Sequence, residues 1–161
     1  MPNICNFDMK VSGKKKNIER LYKMLNYDKS EKYRFYRVIE CFYTYEEDLE
    51  GVDDNEYIST FISGECAWSV ETCMLIEDAD KYEDLTSIDK ASKELNLLIE
   101  IVSEERGFNF TEHYVIDNGE ILVNECNDLI TKEELERYKD NKEALQELYD
   151  MKSEEIINKL Y

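Results

Sequence analysis

A chain of 161 residues fits one domain and is long enough to bury a continuous core. Its 36% charged residues stand beside 42% hydrophobic ones, with twelve Tyr and six Phe, a composition that excludes a disordered acidic tail. The net charge of −18 repels nucleic acid and anionic membrane over most of the surface and attracts basic partners.

That charge is unevenly divided. Residues 1–39 hold ten Lys/Arg and four Asp/Glu, whereas residues 40–161 hold ten and thirty-four. Between Glu40 and Asp80 there are thirteen carboxylates and no Lys or Arg. The N-terminus shows no apolar run of signal-peptide length, and no window approaches the ~20 apolar residues of a membrane span. Five cysteines, odd in number and irregular in spacing, read as reduced thiols of a cytoplasmic protein.

In chain order, residues 3–11 alternate, with Cys5, Phe7, Met9 and Val11 on one side, and predict a half-buried strand stopped by Ser12-Gly13. Residues 14–26 predict a helix whose apolar stripe is Ile18, Leu21, Tyr22 and Leu25. Lys14, Lys15 and Lys16 crowd its first turn, the wrong end for the helix dipole, as a weak anion site or as a solvated face offsetting acidic neighbours. Residues 34–45 are apolar on both faces and predict an interior strand.

The loop 46–56 follows, with seven carboxylates in eleven residues: Glu46, Glu47, Asp48, Glu50, Asp53, Asp54 and Glu56. Residues 57–63 predict a strand closed by Gly64, and 66–76 fits either strand or helix. Residues 78–84, with Asp78 and Asp80, form a second acidic loop before a helix over 87–96 and a strand over 97–103. The runs 108–117 and 120–126 flank Asn118-Gly119, the preferred pair of a type I′ hairpin. A plain two-residue loop pairs Ile116 with Ile121, Tyr114 with Val123 and Glu112 with Glu125. Thr131 and Glu134 form a capping box that opens a C-terminal helix, continuous or broken near Asp150.

The order of elements predicts an α+β fold: an antiparallel sheet with helices packed against it and an additional C-terminal helix. Met1-Pro2-Asn3, Cys5, Val11 and Gly13 resemble the opening signature of the YubB-like family, plasmid- and phage-encoded proteins with a ferredoxin-like domain. Ala67-Trp68-Ser69 is similar to a second motif of that family, and Phe110, His113-Tyr114 and Gly119 to its terminal hairpin. Ile4 stands where the family has Trp, Phe7 where it has Asn, and no Pro follows Ser69. The resemblance implies a mobile-element origin and a ferredoxin-like antiparallel sheet with helices packed on one face, with residues 1–126 as the ferredoxin-like domain and 127–161 as a helical extension packed on it. It carries over no catalytic residue.

Chemistry-bearing motifs are few. Glu112 facing Glu125 would make an acid/base pair for a carboxylate-based or metal-dependent hydrolase, or a solvated sheet edge. No Cys-x-x-Cys occurs, and the run from Asp78 to Tyr82 begins like a calcium loop but has Glu83 where the sharp turn needs Gly. No cofactor is expected. The acidic stretch with its rings, Trp68 foremost, suits an interface with a basic partner, since charge speeds encounter and aromatic anchors supply affinity. The leading expectation is a non-enzymatic phage or plasmid protein that occupies a basic, nucleic-acid-binding surface of a host protein. The residues for that role are Glu46, Glu47, Asp48, Glu50, Asp53, Asp54, Glu56, Asp78, Asp80 and Trp68. An assembly protein joined through the C-terminal helix is the third reading.

Overall fold

The computed structural model describes residues 3–161, so the first two residues of the opening Met1-Pro2-Asn3 motif lie outside the described chain. Six strands form one antiparallel sheet: β1 (Ile4–Lys14), β2 (Val38–Tyr43), β3 (Tyr57–Ala67), β4 (Leu98–Glu105), β5 (Phe110–Asp117) and β6 (Glu120–Asp128), in the order β2-β3-β1-β4-β5-β6. Helix α1 (Lys15–Leu25) joins β1 to β2, α2 (Val70–Met74) and α3 (Ile88–Leu95) lie between β3 and β4, and α4 (Lys132–Tyr138) and α5 (Lys142–Ile157) close the chain. The β1-α1-β2-β3-α3-β4 part, with β3 and β1 central, is the ferredoxin-like arrangement, extended by the β5–β6 hairpin.

Period-two alternation builds the main core. Phe7, Met9 and Val11 of β1, Ile62 of β3, Ile99 and Ile101 of β4 and Tyr114 and Ile116 of β5 meet Ile18, Leu21 and Leu25 of α1 and Ile88, Ala91 and Leu95 of α3. The other face is polar except around Val102, where Leu129, Ile130, Ile156 and Leu160 form a second cluster with Phe61. Ile156 of α5 and Leu160 after it are thus used inside the molecule, with Leu135, Leu145, Leu148 and Tyr149 half-buried against them, while Met151 and Ile157 stay exposed. Each buried leucine or isoleucine there stabilises by about 1.5–3 kcal/mol. Arg106 pins α5 to β4 by donating to Asp150 at 2.9 Å and to Ser153 Oγ at 2.8 Å.

Several sequence expectations shift. β1 continues through Ser12-Gly13 to Lys14, because Lys14 still pairs with Tyr57 across the ladder. The interior strand expected over 34–45 is the short edge strand β2: Phe35 is buried before the strand begins, Arg37 takes φ +48° and ends extended pairing, and Ile39 and Phe42 are exposed. Gly64 does not close β3. A Cβ there would meet Glu40 O at 2.5 Å and Phe7 Cζ at 2.7 Å, so the glycine lets β2 and β1 approach. The ambiguous 66–76 run divides, with strand to Ala67 and helix from Val70. The C-terminal break falls between Tyr138 and Lys142, and α5 runs through Asp150.

The hairpin register also changes. Asn118 (φ +47°) and Gly119 (φ +90°) make the expected turn and Ile116 pairs with Ile121, but a bulge at Leu122 places Val115 opposite Val123. Beyond it Tyr114 faces Asn124, His113 faces Glu125 and Glu112 faces Cys126. One extra residue thus moves the two glutamates to opposite faces of the sheet.

Candidate functional site

The acidic loop leaves β2 after Tyr43 and returns as β3. Its first part is a short 3-10 turn, Glu46–Leu49, and Gly51 at φ +70° turns the chain back. The second part docks on the start of α1. That helix lacks a side-chain cap, and its first N–H groups find carbonyls in the loop instead: Lys15 N–H donates to Glu56 O at 2.9 Å and Lys16 N–H to Asp54 O at 3.0 Å. Lys15 Nζ donates to Val52 O at 3.0 Å, and Asp53 folds the return by accepting from Asn55 N–H at 2.9 Å. The basic first turn of α1 is thereby matched to the acidic loop above it.

Glu46, Glu47, Asp48, Glu50, Asp53, Asp54 and Glu56 are all exposed. Among the described residues only Asp54 has a cation within 4 Å, Lys15 Nζ at 3.8 Å. The flanking rings Tyr45 and Tyr57 are exposed as well. Below them Tyr22 and Tyr43 stack with centroids 4.1 Å apart, and burial pushes the Tyr22 and Tyr43 hydroxyls and the Cys41 thiol up, the last to about 12. The loop is thus a concentrated negative patch on a packed base.

The other residues singled out in the sequence lie elsewhere. Asp80 accepts from Lys90 at 2.6 Å, in the first turn of α3, and Asp78 meets Lys81 at 2.8 Å. Asn17, in the first turn of α1, donates to Leu95 O at 2.7 Å, so the acidic loop sits near the C-terminal end of α3 and Asp80 at its N-terminal end. Trp68 follows β3, whose eleven residues, about 35 Å, separate it from the loop. It is 36% exposed with φ +70°, and the Arg37 guanidinium lies over its ring at 5.0 Å.

The two glutamates read as an acid/base pair do different things. Glu112 is 3% exposed and accepts four hydrogen bonds, from Val70 N–H at 2.9 Å, Glu71 N–H at 3.1 Å, Ser103 Oγ at 2.5 Å and Tyr114 Oη at 3.0 Å. It holds α2 against the sheet, and every lone-pair direction is used. Glu125 lies on the opposite face, 3.8 Å from His113 Nδ1, while His113 Nε2 meets Glu100 Oε1 at 3.0 Å. The Glu100–His113 contact was missed because β4–β5 register is not readable locally. The bulge had a signal: Ile121, Leu122 and Val123 are three successive apolar residues in a strand otherwise read as alternating. Among the described residues no group of three His, Cys, Asp or Glu side chains could hold a metal ion.

Comparison of the chain with family models, with characterised proteins and with solved structures gives no match. The functional reading therefore rests on the residues and their geometry.

Proposed function

We propose that the protein is a non-enzymatic acidic binding protein whose 46–56 loop engages a basic, nucleic-acid-binding surface of another protein. One observation carries the reading: seven exposed carboxylates on one anchored loop, six of them with no cation of the chain within 4 Å among the described residues. Their field reaches a partner unspent. Exposed charge of one sign raises encounter rates, and its effect falls beyond a screening length of about 8 Å at physiological salt. Tyr45 and Tyr57 supply apolar contact beside the charge. In this reading the carboxylates stand where the partner expects phosphates. The phage or plasmid origin, with a host protein as the partner, is proposed on the resemblance of the short N-terminal and hairpin motifs to YubB-like proteins alone, since no family model matches the chain.

Affinity capture from a host lysate, run with the native chain and with an E46K/E47K/D48K/E50K variant, tests this. The native chain should retain a DNA- or RNA-binding protein that elutes at raised salt, and the variant should not. Equal retention of the same protein by both chains would overturn the proposal.

A further inference from the structure

At the end of α3 away from the acidic loop, a cleft of about 550 Å³ opens between α2, the connection to α3, the first turn of α3 and β6. Its volume is that of a small-molecule site. Glu71, Glu77 and Asp89 line it and make no salt bridge among the described residues, and Asp78 lines it while held by Lys81. The one lysine of the wall, Lys90, is drawn to Asp80 at 2.6 Å. Leu75, Ile76 and Ile121 supply apolar surface between the carboxylates.

A second, independent feature points to a ligand. Ser87 lines the cleft, is 2% exposed, and stands at the N-cap of the eight-residue helix α3 without donating to or accepting from that helix through its side chain. A serine at this position ordinarily accepts from the first turn, as Ser69 does from Thr72 N–H in α2. The Ser87 hydroxyl is left for whatever enters the cleft.

The chemistry selects the ligand. Carboxylates disfavour an anion, and those here do not converge closely enough for a metal ion. Charges spaced by apolar wall match a chain of methylenes carrying spaced ammonium groups. We infer that the cleft binds a linear alkylammonium, either a free polyamine or a lysine side chain of a peptide, with Glu71, Glu77 and Asp89 pairing the ammonium groups, Ser87 Oγ accepting from one of them, and Leu75, Ile76 and Ile121 covering the methylenes. This site is separate from the 46–56 loop and stands whether or not the loop binds a partner.

Calorimetric titration of the full chain with spermidine, and in parallel with an acetylated and amidated Gly-Lys-Gly peptide, tests it. Saturable one-site binding of either probe is expected, and which probe binds tells the source. E77Q/D89N should weaken binding about tenfold or more, and Ser87→Ala about threefold. E46K/E47K/D48K/E50K should leave it within about twofold, since that loop lies beyond a screening length. Glu77 is exposed and Asp89 half-buried, and far-UV circular dichroism checks that the fold is retained in the double variant. If neither probe binds, or if the loop variant weakens binding as much as E77Q/D89N, the attraction is diffuse and the inference is overturned.

Discussion

Two stretches rich in carboxylates, the loop between β2 and β3 and the segment running from α2 to α3, differ in how much of their charge the chain itself takes up. In the second, Asp78 meets Lys81, Asp80 meets Lys90 and Asp84 accepts from Arg34 at 2.7 Å, while Glu71, Glu77 and Asp89 make no salt bridge among the described residues and line the cleft; from β5 the buried Glu112 receives the first N–H groups of α2. In the first, six of seven carboxylates face solvent with no cation within 4 Å among the described residues, and the loop is held by its backbone carbonyls and by Lys15. Carboxylates used as structural acceptors have little field left for a partner. Those held up by main-chain bonds keep theirs. Charge in a sequence is therefore a poor measure of charge presented.

The sharpest way to break this contrast is at Glu112. Glu112→Ala leaves the buried Val70 N–H, the partly buried Glu71 N–H and two hydroxyls without this acceptor and should destabilise by about 3–5 kcal/mol in urea unfolding. A loss below about 1 kcal/mol would mean the carboxylate is not structural. At the open loop the expected effect is on binding: once a partner is captured, E46K/E47K/D48K/E50K should lower its affinity by at least about tenfold and flatten its salt dependence, with stability unchanged.

The base beneath the loop can be tested by alkali. The Cys41 thiol is pushed from 9.0 up to about 12 by burial, so the folded chain keeps a proton that the unfolded chain releases. With fewer protons on the unfolded state, stability is full below pH 9 and falls as pH rises to 12, by about 1.4 kcal/mol per pH unit from this group. Cys41→Ala should make the fall shallower, and an unchanged slope would refute the assignment. The smallest effect belongs to Asp80→Asn. Its exposed pair with Lys90 is worth no more than about 0.5–1 kcal/mol, and partner affinity should stay within about twofold. A large loss of affinity there would merge the two acidic regions into one surface.

Much of this fold can be read from local pattern. Alternation marked β1 and β5, helical spacing marked α1 and α3, Asn118-Gly119 marked the hairpin, and Thr131 with Glu134 marked the start of α4, because each depends on residues within a few positions of one another. The candidate site was legible as a charge run but not as a surface. Trp68 is close to the acidic loop in sequence, yet a whole strand divides them. The apolar 34–45 run looked interior, yet β2 is an edge because Phe35 and Val38 fill the core from the strand's approach while Phe42 points outward.

The sequence by itself determined the alternation and turn chemistry that build an antiparallel sheet with helices, and the concentration of negative charge after residue 40. Tertiary structure decided which carboxylates meet a lysine, an arginine or a backbone N–H and which meet only water. It also decided, through one bulged residue at Leu122, that Glu112 is buried beneath α2 while Glu125 lies beside His113. The reason is physical: backbone pattern is set by neighbours along the chain, whereas pairing and burial are set by segments that only the folded sheet brings together.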